Sequence, residues 1–519
     1  MARPVGSASV EKRVRPENCG RSRRLAVMGI LLLHAAAAVA QPASDLQSEA
    51  RRIAAEEPAI GSEAGAGGDP QTSVAQPVFS ARRSAEVTTS IQDLLGPAGD
   101  PGGYRAYLRT RGIVYDLIYF TEAVHTARGG MRRGTATLGL VDIDVDIDLD
   151  AFAGWKGGSL HTTFYQIHGT GASRSFVGNL LTVSDIEALS ASRLNELWFE
   201  QSLFEGRVAV RIGQLATDTE YMVSQTGILF TNGSFGWPAI LATDITSGGP
   251  SYPLAAPGVR VKVVPNANLS FQGGLYDGDP GGPDRFGREP DPQRRNRSGT
   301  RFPLSDPALA IAEVSYAYNI EPGAKGEPGT VTLGGWYRFG RFNALGQDAN
   351  GRSLADPASS GVGRRLRGDS GVYGLIDQTI YREPNDPNDG ASVFLRASGS
   401  PGDRNLIDFY LDGGIAYRGL LPGRSDDTMG LAVGYAHIAR GAHRLDVEAV
   451  VLGEGPRPRR SMEAVVEATY QAVLGPGVAL QPSVQYVFKP GGGIGNPRDP
   501  DGARIRNATI LGLRATIRY

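Results

Sequence analysis

The sequence predicts an all-β protein, a transmembrane antiparallel β-barrel of about 16 strands with short periplasmic turns and long extracellular loops. Three observations indicate this fold class. The N-terminus resembles an export signal, no apolar stretch is long enough for a helical span, and short alternating segments recur along the chain. A helical span needs about 20 mostly apolar residues. The strands would therefore have to cross the membrane.

The N-terminus carries the three parts of a secretory signal. Arg23 and Arg24 precede an apolar stretch, which closes with an Ala-Val-Ala triplet before Gln41. A basic region, an apolar region and a small-residue cleavage site in this order are typical of a signal peptide. A buried core helix would not usually show that order. We therefore expect residues 1–40 to be a signal peptide.

Cysteine content and charge narrow the functional classes. The single cysteine, Cys19, falls within the predicted signal, so the exported protein would hold no disulfide. The chain has 53 basic and 54 acidic residues, a formal charge of −1. Nucleic-acid binders carry a basic footprint, which this balance argues against. Short arginine clusters within 294–297 and 457–460 lie among Pro and Gly and are interpreted as solvated loops.

The next segment, residues 41–91, has the composition of a tether. It is rich in Ala, Gly, Ser, Glu and Gln and poor in aromatic residues. Such a composition offers too little apolar surface to offset the entropy lost on ordering. We expect a low-complexity periplasmic segment here, with a short helix over 46–57 as the alternative. The barrel domain is then predicted to occupy residues 92–519.

Alternation of apolar and polar residues is clearest from Val141 to Asp150. Five aliphatic residues there alternate with five aspartates, so a strand would place the two sets on opposite faces. Comparable segments recur down the chain, and their number is even, as in bacterial barrels. The sixteen predicted strands begin near residues 113, 134, 157, 195, 207, 258, 269, 307, 329, 370, 391, 406, 428, 462, 477 and 504.

The connections between these segments alternate in length. Long ones are predicted over residues 170–194, 218–257, 280–306, 345–369 and 441–460. A soluble β-sandwich would also show alternating strands, but export without an apolar helix favours a closed barrel, which satisfies every backbone group in lipid. The last strand ends in Tyr519, and we expect the barrel-assembly machinery to recognise it and outer-membrane lipid to surround the barrel.

If the apolar face contacts lipid, the polar face lines a water-filled lumen. Guanidinium groups donate hydrogen bonds and carboxylates accept them, so together they could bind sugar hydroxyls, while flat aromatic rings could stack on a sugar ring. The alternative is that mixed charge merely keeps the lumen hydrated. The pore-lining candidates are Glu196, Trp198, Glu200, Arg207, Arg211, Trp336, Arg338, Glu463 and Gln485.

The aspartates from Asp142 to Asp148 could also be interpreted as a calcium site, since calcium prefers several oxygen ligands. Alternate residues of a strand point along one face and do not wrap an ion, so we expect no metal. The histidines lack zinc-site spacing, and no hydrolase, phosphate-loop or dinucleotide motif is present. We therefore expect neither an enzyme nor a cofactor.

Several segments together resemble the carbohydrate-selective outer-membrane porin (OprB) family over residues 91–519. The segments are Leu94-Leu95-Gly96, Gly154-Trp155-Lys156-Gly157-Gly158, Asn195-Glu196-Leu197-Trp198-Phe199-Glu200-Gln201, Arg211-Ile212-Gly213-Gln214, Ala256-Pro257-Gly258-Val259-Arg260 and Leu480-Gln481-Pro482-Ser483-Val484-Gln485-Tyr486. The resemblance implies a sixteen-stranded porin of the bacterial outer membrane that lets glucose and other small sugars diffuse passively. It also implies a loop folded into the mouth, for which 218–257, with Trp237, is the candidate.

Two other functions stay open at this stage. One is a general-diffusion outer-membrane pore, which would pass charged and neutral solutes alike. The other is an exported glycan-binding β protein without a channel. The sequence also leaves open which sugar is preferred, whether the pore gates, and whether barrels associate as a homo-oligomer.

Overall fold

The computed structural model describes residues 89–284, 287–384, 386, 388–453, 455 and 457–519. The predicted signal peptide and nearly all of the predicted 41–91 segment lie outside the described residues. From Ile113 onward the chain forms a closed barrel of sixteen antiparallel strands. Each strand pairs with its neighbours in sequence, and β1 pairs with β16 to close the barrel. The predicted fold class is confirmed.

The strands are β1 Ile113–Gly130, β2 Gly134–Asp148, β3 Gly158–Gly169, β4 Ala191–Leu203, β5 Val208–Leu215, β6 Ala256–Asn266, β7 Leu269–Tyr276, β8 Leu309–Tyr318, β9 Gly329–Asp348, β10 Gly363–Arg382, β11 Gly390–Gly399, β12 Ile407–Arg418, β13 Thr428–Ile438, β14 Met462–Gly475, β15 Val478–Phe488 and β16 Arg506–Arg518. The helices are short and lie in the connections or before the barrel. They are α1 Ile91–Leu95, α2 Tyr104–Thr110, α3 Leu149–Ala153, α4 Gly233–Gly236, α5 Ala239–Asp244, α6 Pro292–Arg295, α7 Arg440–Val451 and α8 Pro490–Gly493. Within the described ranges, no helix is both long and apolar enough to cross a membrane.

The alternation predicted for Val141–Asp150 is confirmed as far as Asp148, which ends β2 and caps α3, whereas Leu149 and Asp150 belong to that helix. Asp142 and Asp144 are buried inside the barrel, whereas Ile143 between them faces outward. Outward-facing apolar residues are exposed on most strands, as expected of a surface that contacts hydrocarbon. Examples are Leu197, Ile212, Val261, Phe271, Leu333, Val372, Leu395, Leu431, Val484 and Leu511.

The two ends of the barrel differ in the length of their connections. Turns 204–207, 267–268 and 476–477 lie at one end, and loops 170–190, 216–255 and 277–308 lie at the other. In barrels of the bacterial outer membrane, the short turns are periplasmic and the long loops extracellular. The long-loop end therefore faces the outside of the cell.

One predicted loop is shorter than expected. Strand β10 begins at Gly363 and not near residue 370, and β9 continues to Asp348. The two strands stay paired through two register shifts, although apolar and polar residues no longer alternate regularly there. The shifts lie between Gly363 and Arg365 and between Arg367 and Asp369. The connection is thus 349–362, because bulges break the period of two on which the prediction depended.

The seam between β1 and β16 contains two register shifts near its long-loop end, on either side of Arg128. Gly129 lies within the second shift, between Arg128 and Gly130, with φ +68°, a left-handed conformation. A Cβ atom at this position would lie 1.7 Å from the carbonyl oxygen of Asn507 in β16. Only glycine fits, because any side chain would meet backbone that is held by the strand pairing.

We predict that Gly129→Ala weakens closure of the barrel. The left-handed conformation alone costs a residue with a Cβ about 1–3 kcal/mol, and the contact with Asn507 adds to this. Samples are heated to increasing temperatures before SDS gel electrophoresis. The temperature at which the band of folded barrel disappears should be lower for this variant. Gly475→Ala is the matched control, since open space surrounds a Cβ there. Equal melting of both variants would contradict the prediction.

Candidate functional site

The connection between β5 and β6, residues 216–255, folds into the barrel, and we call it the inner loop. Asn232 caps α4 by accepting a hydrogen bond from the Ser234 amide at 3.1 Å. Apolar side chains of the loop pack on the wall: Phe235 and Phe394 of β11 meet edge to face with centroids 6.3 Å apart. Apolar packing therefore helps to hold the loop against the barrel wall.

Acidic side chains of the barrel wall hold the backbone of the inner loop. Four carboxylates from four strands accept hydrogen bonds from its amides, and they are Glu196, Glu313, Asp377 and Glu467. The oxygen-to-nitrogen distances run from 2.8 Å at Glu467 to 3.2 Å at Glu313. Backbone amides of a loop buried in a barrel cannot all form hydrogen bonds with water. These carboxylates are the acceptors in place of water.

An arginine of the wall also holds the inner loop, by donating hydrogen bonds to its backbone carbonyl groups. Arg396 of β11 is fully buried and donates to the carbonyl oxygens of Met222 at 2.7 Å and Ser234 at 2.9 Å. Its Nε also donates to Asp412 of β12 at 3.1 Å. A buried guanidinium must be paired and hydrogen-bonded to be tolerated. The inner loop thus has wall contacts for both its amides and its carbonyls.

A second loop, residues 170–190 between β3 and β4, covers the inner loop from the long-loop end. Glu463 of β14 accepts a hydrogen bond from the Leu181 amide at 2.7 Å. The inner loop joins it directly, since the Gly233 amide donates to the Thr182 carbonyl at 2.9 Å. The two loops therefore form one hydrogen-bonded layer across the barrel interior.

Four charged residues meet beneath the inner loop, and we call Glu200, Arg211, Glu220 and Arg260 the charge cluster. Glu200 of β4 accepts from Arg211 of β5 at 2.9 Å and lies 3.0 Å from the guanidinium of Arg260 of β6. Glu220 of the inner loop accepts two hydrogen bonds from Arg260, at 2.8 and 2.9 Å, and is also paired with Arg211. The two positive and two negative charges balance within the cluster.

Burial alone would raise the pKa of Glu220. The guanidinium groups of Arg211 and Arg260 outweigh that effect and hold its pKa below the ordinary value. Glu220 therefore stays ionised at neutral pH and remains a hydrogen-bond acceptor.

Trp198 of β4 supports the charge cluster from the wall. The guanidinium carbon of Arg211 lies 3.6 Å from its ring centroid, and His161 of β3 stacks on it with centroids 4.7 Å apart. Trp198 is only 4% exposed. It orients Arg211 by a cation–π contact, and little of its ring remains for a solute.

Cavities lie on both sides of the inner loop. One of about 420 Å³, towards the short-turn end, is lined by the whole charge cluster. Its other charged lining residues are Lys262, Glu313 and Asp377, and its neutral polar lining residues include Ser270, Gln272, Ser315, Thr330 and Thr332. A second cavity, of about 450 Å³, lies between the inner loop and the 170–190 loop and is lined by Trp237 and Tyr252. The inner loop thus divides the barrel interior.

The structure brings together four of the residues predicted from sequence: Glu196, Trp198, Glu200 and Arg211 lie on β4 and β5 near the inner loop. Arg207 does not join them. It is an exposed residue of turn 204–207, because β5 begins one residue later, at Val208. Alternation therefore does not aim its side chain into the lumen, and the prediction that it shares the constriction with Arg211 is not supported.

Other predicted residues face inward but are engaged elsewhere. The carboxylate of Glu463 already accepts backbone amides, and Gln485 contacts Asn232 and the Val183 carbonyl. Both side chains position loops, and their hydrogen-bonding groups are already used for these contacts instead of facing a solute.

Trp237 is buried in the inner loop, where its indole N–H donates to the Gly248 carbonyl at 3.0 Å. Trp336 and Arg338 are buried in β9, and the Arg338 guanidinium lies 4.8 Å from the ring centroid of Phe342. None of these three residues lines the cavity beneath the inner loop.

Sequence reasoning missed two members of the charge cluster. Arg260 alternates with the apolar Val259 and Val261 in β6, so parity alone could have assigned it to the lumen. Glu220 lies in the inner loop, where no period applies. Its position depends on how the loop folds back, which the local sequence does not specify.

Comparison with known proteins agrees with this architecture. The family model described as carbohydrate-selective porin, OprB family, matches residues 132–519. Porin B of Pseudomonas aeruginosa is 22% identical over 417 residues, covering 76% of this chain and 87% of that protein. The high-pH structure of Pseudomonas putida OprB superposes with a TM-score of 0.71 at 20% identity, covering 81% of this chain and 98% of that one. The structural match supports the fold.

We predict that Glu467→Gln loosens the inner loop. The amide can accept only through one oxygen, so one backbone N–H loses its partner at a cost of about 1–3 kcal/mol. Single-channel records in planar bilayers should show larger and noisier conductance. Glu321→Gln, at an exposed residue of turn 319–328, removes the same charge and should leave the records unchanged. A quiet Glu467→Gln channel would contradict the anchoring role.

We also predict opposite ion selectivities for two variants of the charge cluster. Glu220→Gln leaves an excess positive charge and should shift the reversal potential in a KCl gradient towards anions. Arg260→Gln leaves an excess negative charge and should shift it towards cations, since fixed charges at a narrow point set electrostatic barriers. Shifts in the same direction would show that the cluster does not border the ion path.

Proposed function

Because the chain belongs to the OprB family of carbohydrate-selective porins, we propose that glucose and other small sugars diffuse through its lumen past the charge cluster. The observation that supports this site is the cavity beneath the inner loop, where the cluster and several hydroxyl-bearing side chains share one lining. The protein is a channel of the bacterial outer membrane, and the proposal concerns which of its residues act on the solute.

The mechanism we infer is exchange of hydration for wall contacts. A sugar that leaves water must replace hydrogen bonds at its hydroxyls, and the cluster offers donors on Arg211 and Arg260 and acceptors on Glu200 and Glu220. These groups are already held in place by one another. Little side-chain entropy is therefore lost when a solute binds, and no energy input is required.

The balance of charge in the cluster favours neutral solutes. An ion that enters the narrow region would also have to shed water, but the two glutamates and two arginines of the cluster offset one another. Lys262, Glu313 and Asp377 also line the cavity, and both of these carboxylates already accept hydrogen bonds from amides of the inner loop. A sugar needs only local donors and acceptors. This difference would separate a carbohydrate-selective channel from a general-diffusion pore.

Hydroxyl groups extend the polar lining away from the cluster. Ser315 of β8 and Thr332 of β9 are hydrogen-bonded at 2.7 Å, and Thr330 lies two residues earlier on the same face. Neutral hydroxyls can both donate and accept. We propose that they pass the sugar onward to the periplasmic side.

The last strand, β16, is the segment that concerns insertion of the barrel into the membrane. The amide of Tyr519 donates to the Leu117 carbonyl at 2.8 Å, and its hydroxyl donates to Gly99 at 2.6 Å. We propose that the barrel-assembly machinery recognises β16 before it pairs with β1. Outer-membrane lipid would then cover the outward apolar residues.

We predict that Ser315→Ala/Thr330→Val/Thr332→Val slows glucose influx into liposomes several-fold, since each lost hydrogen bond is worth about 1 kcal/mol. Potassium conductance should change little, because charge and volume are kept. Thr121→Val, on the outward face of β1, is the control and should leave influx unchanged. Wild-type protein that passes glucose and a charged solute of equal size at one rate would be a general pore.

A further inference from the structure

The outer wall of the barrel carries a concave basic site at its long-loop end, beside the β1–β16 seam. Three arginines line it, Arg128 of β1, Arg504 of loop 489–505, and Arg506 at the start of β16. The cavity measures about 490 Å³. The remaining lining residues are Gly129, Tyr486, Asn507 and Thr509. We call this site the arginine pocket, and its lining includes no carboxylate among the described residues.

The arginine pocket faces the membrane and not the lumen. Thr509 pairs with both Arg128 and Tyr486, which places the three side chains on one face of the sheet. The apolar neighbours on that face, Phe488 and Leu511, are exposed to 38% and 46%. The pocket is therefore continuous with the lipid-facing surface at the level of the outer leaflet.

The three guanidinium groups are exposed, and across the described part of the chain none forms an ion pair or hydrogen bond through its side chain. Wall arginines elsewhere are engaged, as Arg396 is with Asp412. Asp499 and Asp501 belong to the same loop as Arg504 but lie outside the lining. Like charges converge here without compensation, which favours a bound anion.

We propose that the arginine pocket binds a phosphate group of the phosphorylated glycolipid in the outer leaflet. The guanidinium fork matches phosphate geometry and can donate two parallel hydrogen bonds. Tyr486 presents an apolar ring and a polar tip at the boundary, as aromatic girdles of barrels do. The acyl chains would continue along Phe488 and Leu511. A lipid fits this combination better than a free ion, which would use only the charges.

The test measures binding of bis-phosphorylated lipid A to the purified protein in detergent, by native mass spectrometry. We expect Arg128→Gln/Arg504→Gln/Arg506→Gln to bind at least about tenfold more weakly, since the charge-assisted hydrogen bonds to the phosphate are lost. A control variant removes three other exposed arginines at the same end of the barrel. It is Arg364→Gln/Arg365→Gln/Arg367→Gln, which should retain wild-type affinity.

Two further arms identify what is bound. Dephosphorylated lipid A should bind the wild type as weakly as the triple variant binds lipid A, and inorganic phosphate should not displace lipid A. If the triple variant fails to fold, Arg504→Gln alone takes its place, because Arg504 lies in a loop. This single variant should show a smaller loss of lipid A binding than is expected of the triple variant. Equal losses in both triple variants would indicate general surface charge, and unchanged binding or displacement by inorganic phosphate would also overturn the proposal.

Discussion

Hydrocarbon offers no hydrogen-bond partner, and this constraint organises the whole molecule. Every strand edge must be paired, so β1 has to meet β16 and the sheet has to close. Closure fixes an inside and an outside, and the period of two then assigns each side chain to one of them. Apolar residues such as Val372 and Leu395 are left facing outward. The charged residues of the same strands are collected around one axis.

The charged residues that face the barrel interior fall into two groups. Some hold loops, as Glu467 and Arg396 do for the inner loop and Glu463 does for the loop above it. Replacing a buried ion pair by apolar residues is often neutral for stability, so the pair of Arg396 and Asp412 is better explained by where it places the loop. Others, in the charge cluster, line a cavity and can contact a solute. Anchoring the loop is what makes that cavity narrow.

At the long-loop end, two loops fold into the barrel interior and arginines line a pocket on the outer wall. Inside, two loops share backbone hydrogen bonds between Gly233 and Thr182 and between Asp185 and Thr231. Outside, the bulged seam at Gly129 brings arginines from two strands and a loop into one pocket. Both features depend on chain segments that meet only because the barrel closes. The two features face different surroundings, since one lies in the barrel interior and the other on the outer wall.

Local sequence determined the fold class, the number of strands and the lumen-facing parity of residues such as Asp142, Glu200 and Arg211, because alternation is a property of neighbouring residues. It placed β10 late, since bulges have no period, and it assigned Arg207 to a strand that begins one residue beyond it. Only the tertiary structure decided that Glu463 and Gln485 hold loops, that Trp198 is covered by Arg211 and His161, and that Glu220 completes the charge cluster. Those roles require residues distant in sequence to meet, and the path of a folded-in loop is set by its hydrogen bonds to the whole wall.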